Sequence, residues 1–349
     1  MNKDWQNFLL QNGAKQNASG LITFDTDADS NKATEGNTVI YDLSQYSTIV
    51  IAGDDAAAFM QGQFTNDVEL VDENRSQLNA ICNNKGRMIA NFRLFKYQNN
   101  YFINLKSDLA EICIDHLQNY ILRSQVAIQD VSEQLIHMGI SGNDCSTLLA
   151  PYISDLTDET DCISFNDDYF AIRAAGELPR YEIFCDIEHA KKLWQELCQK
   201  TRPVNSSSWD YLNIQAGIPF IDKHTSESFV PQMANMELIN GVSFTKGCFT
   251  GQEIVARMHY LGKLKKRCFR VHIATEGQPA AGDKLFAENA RAGQNTGEII
   301  LAEKNPESGY DALAVIQIAD AGSNLFLNDA EGPKVSVKEL PYSFETEQA

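Results

Sequence analysis

The chain has 349 residues, of which 43% are hydrophobic and 22% are charged. This length and composition predict a folded globular protein of two or three domains, because a single hydrophobic core rarely serves so long a chain. The formal net charge of -18 at pH 7 disfavours tight binding to nucleic acid or to an anionic membrane, unless a local basic patch overrides the acidic field.

The eight cysteines form no C-x-x-C pair and show no zinc or cluster-ligand spacing, so no metal site is predicted. The first residues contain no apolar signal region, and no apolar run is long enough to span a bilayer. We therefore expect a soluble, cytoplasmic protein with no membrane partner, whose thiols stay reduced.

Short strands alternate with amphipathic helices over the first two thirds of the chain. An amphipathic helix is predicted around Trp5 and Phe8, and the acidic, polar residues 25–38 are predicted to form a loop. Strands are predicted at residues 39–43, 47–51, 78–82, 88–95, 101–105, 123–128, 134–140, 163–165, 169–173 and 180–185. Helices are predicted after residues 53, 107 and 142 and over residues 187–197. This order predicts split β-α-β units in an α+β fold.

The last third of the chain has a different pattern. A helix is predicted at residues 209–216, and residues 222–243 follow without regular periodicity. Beyond Arg267, short strands are predicted at residues 268–273, 284–286, 297–301, 313–318 and 334–340. Because Gly- and Asp-rich turns separate them, they predict a small all-β barrel.

Two clusters of basic residues stand out in this acidic chain. Lys85 and Arg87 occupy a turn between two predicted strands. They either bind an anionic group such as a carboxylate or phosphate, or serve only as solubilising charges on an exposed hairpin tip. Residues 263–267 contain four basic side chains, which either pair with a helix end and nearby carboxylates or form a patch for phosphates. The sequence leaves both alternatives open.

A cysteine flanked by glycines precedes a predicted helix in residues 246–267. Thr250 and Glu253 have the spacing of a capping box, and Gly262 is placed to end the helix in a left-handed conformation. Cys248 would then lie just outside a helix N-terminus, two residues from Lys246, and both features favour a thiolate. The alternative is a cysteine that precedes a helix without a chemical role.

The segment 246–253, K-G-C-F-T-G-Q-E, resembles the K-G-C-[YF]-x-G-Q-E signature of the YgfZ family of folate-binding, tRNA-modifying proteins. That family is related to the glycine-cleavage T-protein, an aminomethyltransferase. Further family motifs are matched at residues 53–68, 85–88, 209–222, 229–235 and 340–343. The resemblance covers nearly the whole chain from Tyr41.

The resemblance implies a ring around a central folate channel, built from two interleaved ferredoxin-like α+β domains and a C-terminal antiparallel β-barrel. The first domain would comprise residues 1–45 and 125–202, and the second residues 46–124 and 203–262. The barrel would comprise residues 263–349.

The resemblance also implies the ligand and the residues that hold it. The ligand would be tetrahydrofolate or a derivative, in contact with Trp209 and with Tyr46, which stands where the family has a second tryptophan. A lone tryptophan such as Trp209 otherwise belongs to the core by default. Four more residues would line the channel: Gln63, Asp67, Arg87 and Glu253. Cys248 would be the reactive residue, assisted by Lys246.

In family terms the protein would be an accessory factor for tRNA modification, and in particular thiolation. Its transient partners would be iron–sulfur enzymes that it helps to assemble or repair, including tRNA-thiolating enzymes. A further alternative is direct tRNA binding through Lys85, Arg87 and residues 263–267, which the net charge of -18 disfavours as a tight interaction. Residues 174–182 retain only part of the T-protein pattern Y-T-G-E-x-G-x-E, which argues against aminomethyl transfer. The alternative function is a folate-dependent one-carbon transferase or oxidising enzyme, with Asp67, Asp222 or Glu253 as its acid or base.

Overall fold

The computed structural model describes residues 1–17, 20–24, 26–288 and 294–344. The parts of the predicted domains that fall on residues 18–19, 25, 289–293 and 345–349 lie outside this description. Among the described residues, no helix is both long enough and apolar enough to cross a membrane.

The described residues form eight α-helices and nineteen strands. The helices are α1 (Lys3–Gln11), α2 (Asp27–Thr34), α3 (Ala56–Gln61), α4 (Ala110–Ile121), α5 (Cys145–Leu149), α6 (Ile187–Leu197), α7 (Ser207–Gln215) and α8 (Gln252–Tyr260). The strands before the barrel are β1 (Lys15–Gln16), β2 (Ile22–Thr23), β3 (Val39–Asp42), β4 (Tyr46–Ala52), β5 (Gln77–Cys82), β6 (Met88–Tyr97), β7 (Asn100–Lys106), β8 (Ala127–Asp130), β9 (Ile136–Ser141), β10 (Ile163–Phe165), β11 (Tyr169–Arg173), β12 (Arg180–Cys185) and β13 (Arg202–Val204). The barrel strands are β14 (Lys266–Ile273), β15 (Lys284–Ala287), β16 (Gly297–Lys304), β17 (Tyr310–Gln317), β18 (Leu325–Leu327) and β19 (Lys334–Lys338).

Two mainly antiparallel sheets and a closed barrel confirm the predicted α+β class. The first sheet has six strands in the order β10-β11-β12-β9-β3-β13, and the second has five in the order β5-β6-β7-β4-β8. Strands β14 to β19 close into a six-stranded barrel in which every pair is antiparallel. The sequence predicts five of these strands and misses β18, which has only three residues.

The two sheets are interleaved along the chain, and most of their strands lie on the predicted side of each domain boundary. One sheet contains β3, β9 to β12 and β13. All five strands of the second sheet lie between β3 and β9 in the sequence. Strands β8 and β13 differ. Strand β8 pairs with β4 in the second sheet, whereas the predicted boundary assigns it to the first domain. Strand β13 pairs with β3 in the first sheet, although residues 203 and 204 fall in the predicted second domain. The exact domain boundaries remain a prediction.

Helices α1 and α6 show how sequence pattern and burial agree. Asn2 caps α1 by accepting hydrogen bonds from the backbone of Asp4 and Trp5, and Asp186 caps α6 in the same way. Trp5 of α1 and Trp194 of α6 are fully or almost fully buried, and their rings meet edge to face with centroids 5.5 Å apart. The two helices therefore close one core on the outer face of the six-stranded sheet.

The prediction of a loop at residues 25–38 is wrong for residues 27–34, which form α2. Ser30, Asn31 and Thr34 are buried there, and the Asn31 side chain donates a hydrogen bond to the carbonyl of Lys304 in the barrel. The helix is held by polar tertiary contacts rather than by an apolar stripe, so it has no hydrophobic periodicity for sequence analysis to detect.

The barrel is fixed to the sheets by the chain's last described segment. The Tyr342 hydroxyl donates a hydrogen bond of 2.6 Å to the carbonyl of Gly217. Gly217 has φ +68, and a Cβ atom there would approach the Tyr342 ring to 2.7 Å, so this position requires glycine. Asn235 adds a 2.8 Å hydrogen bond to the carbonyl of Cys268 in β14. The barrel and the sheets therefore pack as one body around α7.

Candidate functional site

The structure separates the predicted site residues into two places. Tyr46 and Trp209 lie in the interior, beside the faces of the two sheets. The others lie around α8 and the loops that contact it: Arg87, Cys248 and Glu253 are exposed, Gln63 and Asp67 are partly buried, and Lys246 is buried. We call residues Arg93, His137, Arg180 and Glu182, which lie beside Tyr46 and Trp209, the central cluster. We call residues 246–251 the cysteine loop.

The six-stranded sheet contributes three members of the central cluster from neighbouring strands. Arg180 and Glu182 are two residues apart on β12, so both side chains leave the same face of the sheet. Glu182 pairs with Gly139 of β9, and His137 lies two residues before that glycine. The register therefore places a carboxylate, a guanidinium and an imidazole side by side.

The five-stranded sheet supplies the opposing wall. Arg93 of β6 places its Nε atom 3.5 Å from Glu182 Oε1 and its Nη1 atom 2.5 Å from Asp161 Oδ1. Asn104 of β7 places its Nδ2 atom 3.4 Å from His137 Nδ1. These contacts cross from one sheet to the other, so the central cluster is a charged layer between two apolar sheets.

Several polar atoms of the central cluster are buried without a partner. Within the described residues, no hydrogen bond reaches His137 Nε2, Arg180 Nη2, Glu182 Oε2 or Arg93 Nε. His137 Nε2 lies 3.8 Å from Glu182 Oε2. Native interiors satisfy nearly all such atoms, and each exception calls for an explanation such as a ligand or an ordered water molecule. The arrangement offers donors and an acceptor to a polar molecule held between the sheets.

Burial changes the protonation behaviour of the central cluster. Loss of solvent lowers the pKa of His137 to about 3, with the charge of Arg93 acting in the same direction. Loss of solvent also raises the pKa of the Glu182 carboxyl, although Arg93 and Arg180 oppose the rise. The pKa of Arg180 falls to about 10, again mainly through burial. At neutral pH His137 is therefore an uncharged imidazole and Arg180 remains a cation.

Trp209 and Tyr46 border this layer, and both are almost completely buried, at 2% and 4% exposure. The Arg180 guanidinium carbon lies 4.8 Å from the Trp209 ring centroid, close enough for a cation–π contact. The Tyr46 hydroxyl donates a 2.6 Å hydrogen bond to Asp210 Oδ1, and Lys106 lies over its ring at 4.6 Å. Tyr46 is thus fixed through its hydroxyl, an atom that the indole of a tryptophan lacks.

Gly139 leaves the space that Trp209 occupies. A Cβ atom at position 139 would lie 3.0 Å from the Cε3 and Cζ3 atoms of Trp209 and 3.0 Å from Leu43. Such contacts are tighter than ordinary van der Waals distances. A residue larger than glycine would therefore push the tryptophan away from β9.

Lys246 anchors the cysteine loop to the loop that follows α3. Its ammonium group donates to the carbonyls of Gln61, Phe64 and Asn66 at 2.8, 2.7 and 2.9 Å. Burial lowers the pKa of Lys246 to about 8. All three N–H donors are thereby used on backbone carbonyls, so the lysine holds the fold of this loop.

Cys248 is exposed to solvent. A Cβ atom added at the neighbouring Gly247 would meet nothing within 4 Å, so the approach to this part of the loop is open. The structure places Cys248 on an accessible loop near the beginning of α8. A partner molecule can therefore reach the sulfur directly.

The predicted capping box is wrong. The N-cap of α8 is Gly251, with φ 83 and no side-chain cap hydrogen bond. Thr250 instead donates to Gln63 Oε1 at 3.1 Å. A Cβ atom at position 251 would lie 2.4 Å from the Asn83 carbonyl oxygen, so close packing against the hairpin tip dictates glycine here. The prediction that Gly262 ends the helix in a left-handed conformation is also wrong. Helix α8 ends at Tyr260 with Leu261 as its C-cap, and Gly262 has no positive φ.

The remaining predicted channel residues surround this loop. Arg87 is exposed and donates to the carbonyls of Glu227 and Ser228, and Glu253 is exposed on the first turn of α8. Asp67 accepts hydrogen bonds from the Gln61 side chain and the Glu69 backbone. Asp222, a candidate acid or base, accepts from the backbone of His224 and Thr225. Both aspartates therefore stabilise turns.

Sequence analysis missed the four members of the central cluster. A usable signal was present, because each is a charged or polar residue inside an otherwise apolar strand, and Arg180 and Glu182 share one face at a spacing of two. Among the described residues, no group of three or more His, Cys, Asp or Glu side chains is placed to hold a metal ion.

The buried state of His137 predicts a loss of stability in acid. Its pKa of about 3 in the folded chain lies below its ordinary value of 6.5, so the unfolded chain binds more protons between these values. The free energy of unfolding therefore falls as pH decreases through this window, by about 2 kcal/mol between about pH 6.5 and about pH 4.5.

Denaturant titrations of His137→Gln at both pH values test this. The substitution removes the titrating group, so the acid-induced loss shrinks by that amount, whereas replacement of the exposed His224 by Gln leaves it unchanged. An equal acid-induced loss in His137→Gln and in the unsubstituted protein would contradict the assignment.

Comparison with known proteins places the chain in a family. Residues 20–245 match the model of the GCVT N-terminal domain. The tRNA-modifying protein YgfZ of Hamiltonella defensa is 34% identical over 279 residues, which cover 78% of this chain and 82% of that protein. The protein of the same name from Pectobacterium atrosepticum is 29% identical over 311 residues, covering 89% and 93%.

A solved structure shows the same fold. The glycine cleavage system aminomethyltransferase T from Bartonella henselae superimposes with a TM-score of 0.79 at 17% sequence identity, covering 96% of both chains. At this identity the likeness concerns the fold alone. The family model and the sequence relatives show that this chain belongs to the YgfZ family and carries the GCVT N-terminal domain.

Proposed function

We propose that this protein is a folate-binding accessory factor that supports tRNA modification, with Cys248 as its reactive residue. The observation that carries the proposal is the set of buried, unpartnered polar atoms of the central cluster, next to Trp209 and Tyr46. Family membership supports the link to tRNA modification, because the relatives are tRNA-modifying proteins by name.

A reduced folate is the ligand that we propose for the central cluster. A pterin ring carries an amide and an amino group on one edge and has flat faces. Glu182 would accept from N–H groups of that edge, and Arg180 would donate to its carbonyl oxygen. His137 remains uncharged at neutral pH, so its Nε2 atom can serve as a neutral donor or acceptor.

Trp209 and Tyr46 would complete the site by packing against the ring system. Trp209 is already held by Arg180 on one side and Gly139 on another. Tyr46 is held through Asp210. Both side chains are thus fixed in position before the ligand binds, which reduces the entropy lost on binding.

Cys248 would act away from the central cluster, at the surface. A bound folate would supply or accept a one-carbon unit, and the chain's own part would be to bind and orient it between the sheets. The exposed thiol on a loop anchored by Lys246 would contact client proteins, which we propose to be iron–sulfur enzymes including those that thiolate tRNA. The iron–sulfur part of this proposal rests on the family resemblance.

A calorimetric titration with 5-formyl-tetrahydrofolate tests the ligand. The unsubstituted protein should bind it, and Glu182→Gln should weaken binding at least about tenfold, because loss of a buried charged partner costs about 2–5 kcal/mol. Glu188→Gln is the matched control, since Glu188 lies on the surface with its side chain 79% exposed. No binding of any reduced folate, or equal affinity for Glu182→Gln and the unsubstituted protein, would contradict the assignment.

A strain in which the gene encodes Cys248→Ala tests the reactive residue. We expect reduced levels of thiolated nucleosides in tRNA, measured by mass spectrometry, and reduced activity of an iron–sulfur enzyme in extracts. Cys198→Ala, which removes a half-buried thiol on another part of the molecule, serves as the control and should behave as the parent strain. Normal tRNA thiolation and normal enzyme activity in the Cys248→Ala strain would rule out this role.

A further inference from the structure

Three aromatic rings form a cluster at the end of α8. Phe244 and His259 stack with centroids 3.7 Å apart and planes inclined by 12°. Tyr260 meets both rings edge to face, at 6.3 Å from Phe244 and 4.8 Å from His259. Tyr260 is 64% exposed and the adjacent Leu261 is 84% exposed. The exposed rings and Leu261 make this end of α8 a candidate interaction surface.

The same segment is strongly basic although the chain as a whole is acidic. Residues 246–267 contain six Lys and Arg residues and a single acidic residue, in a chain of net charge -18. Two of the six are occupied, since Lys246 binds three carbonyls and Arg267 forms a 2.8 Å ion pair with Glu237. Arg257, Lys263 and Lys265 are exposed. We call these three cations and the three rings the α8 patch.

The hairpin tip between β5 and β6 extends the basic surface. A Cβ atom on Gly86 would lie 3.0 Å from the Cβ of Ile254, so the tip packs directly on α8. Its two neighbours in the chain, Lys85 and Arg87, are exposed. Cations thus lie both beyond the C-terminal end of α8 and beside its first turns.

We propose that the α8 patch binds single-stranded RNA, with an unpaired base stacked on Tyr260 or His259 and the neighbouring phosphates bound by the cations. Exposed rings interleaved with basic side chains are the combination that single-stranded nucleic acids require. This inference goes beyond the proposed function, in which only the client enzymes contact tRNA.

The acidic remainder of the chain weakens this interaction without preventing it. At physiological salt the Debye length is about 8 Å, so carboxylates farther from the α8 patch than this are largely screened. Glu253 is the acidic residue on α8 itself. A weak and steeply salt-dependent interaction follows, in agreement with the expectation that direct tRNA binding is not tight.

Fluorescence anisotropy with a labelled anticodon stem–loop RNA tests the stacking part. At about 50 mM salt we expect saturable binding of the full chain, and binding of a blunt RNA duplex about tenfold weaker, because paired bases hide their faces. Tyr260→Ala should weaken stem–loop binding about tenfold, the usual effect of losing one stacked base. The side chain is exposed, so the fold should be retained.

The salt dependence tests the phosphate contacts. Each phosphate contact on a single strand contributes a slope of about -0.7 in log K against log salt. The double variant Lys263→Gln, Lys265→Gln should therefore reduce the magnitude of the slope by about 1.4. The matched control replaces Lys334 and Lys338, two exposed lysines of β19, by Gln and should leave the slope unchanged.

Three results would overturn the proposal: no RNA binding at low salt, equal binding of duplex and stem–loop, or an equal loss in the control variant. The first would assign the α8 patch to a protein partner. The calorimetric folate titration on Tyr260→Ala separates this inference from the proposed function, because the substitution lies on the surface and should leave folate affinity intact.

Discussion

The structure depends on charged groups buried between two sheets. Arg93 spans the gap by approaching Glu182 of one sheet from the other, and it is paired with Asp161 as well. Burying such ions costs several kcal/mol each, and the cost is offset only when every lone pair and N–H group finds a partner. Here Glu182 Oε2 and Arg180 Nη2 find none within the described part of the chain. In the proposed function, a polar ligand completes this arrangement.

The interleaving of the two sheets along the chain brings the residues of the central cluster together. Strand β9 carries His137 and Gly139. It follows β4 to β8 in the sequence, yet it pairs with β3, which precedes them. This connection brings β12 and β9 to face β6 and β7, with Asn104 reaching His137 across the gap. Helix α7 then brings Trp209 and Asp210 to the edge of the same layer, where Asp210 holds Tyr46. The site therefore depends on the complete set of long-range pairings.

More of the fold than of the candidate site could be predicted from the sequence. Strands such as Tyr169–Arg173 and Arg180–Cys185 and helix Ile187–Leu197 have the predicted bounds because local patterns of apolar residues define them. Helix α2 was missed because its buried residues are polar, and the N-cap of α8 was misassigned because packing of Gly251 on Asn83 outweighs a local capping box. The central cluster was missed because its members are distant in sequence and meet only through strand register.

The structure shows contacts of the motif around Cys248 that the sequence does not predict. The ammonium group of Lys246 donates to three backbone carbonyls, and Cys248 is exposed. The role of Lys246 in keeping the Cys248 thiol ionised stays a prediction. The proposed ligand and the proposed partner proteins would therefore contact different parts of the molecule. Lys246 joins the cysteine loop to the loop at residues 61–66, and Phe249 of the cysteine loop is buried in the same apolar core as Trp209.

The most direct test of the central claim is a crystal structure of the protein with 5-formyl-tetrahydrofolate. We predict that ligand atoms lie within about 3.5 Å of both Glu182 Oε2 and Arg180 Nη2, the limit of a hydrogen bond. A ligand bound elsewhere, with only ordered water on these two atoms, would contradict the claim.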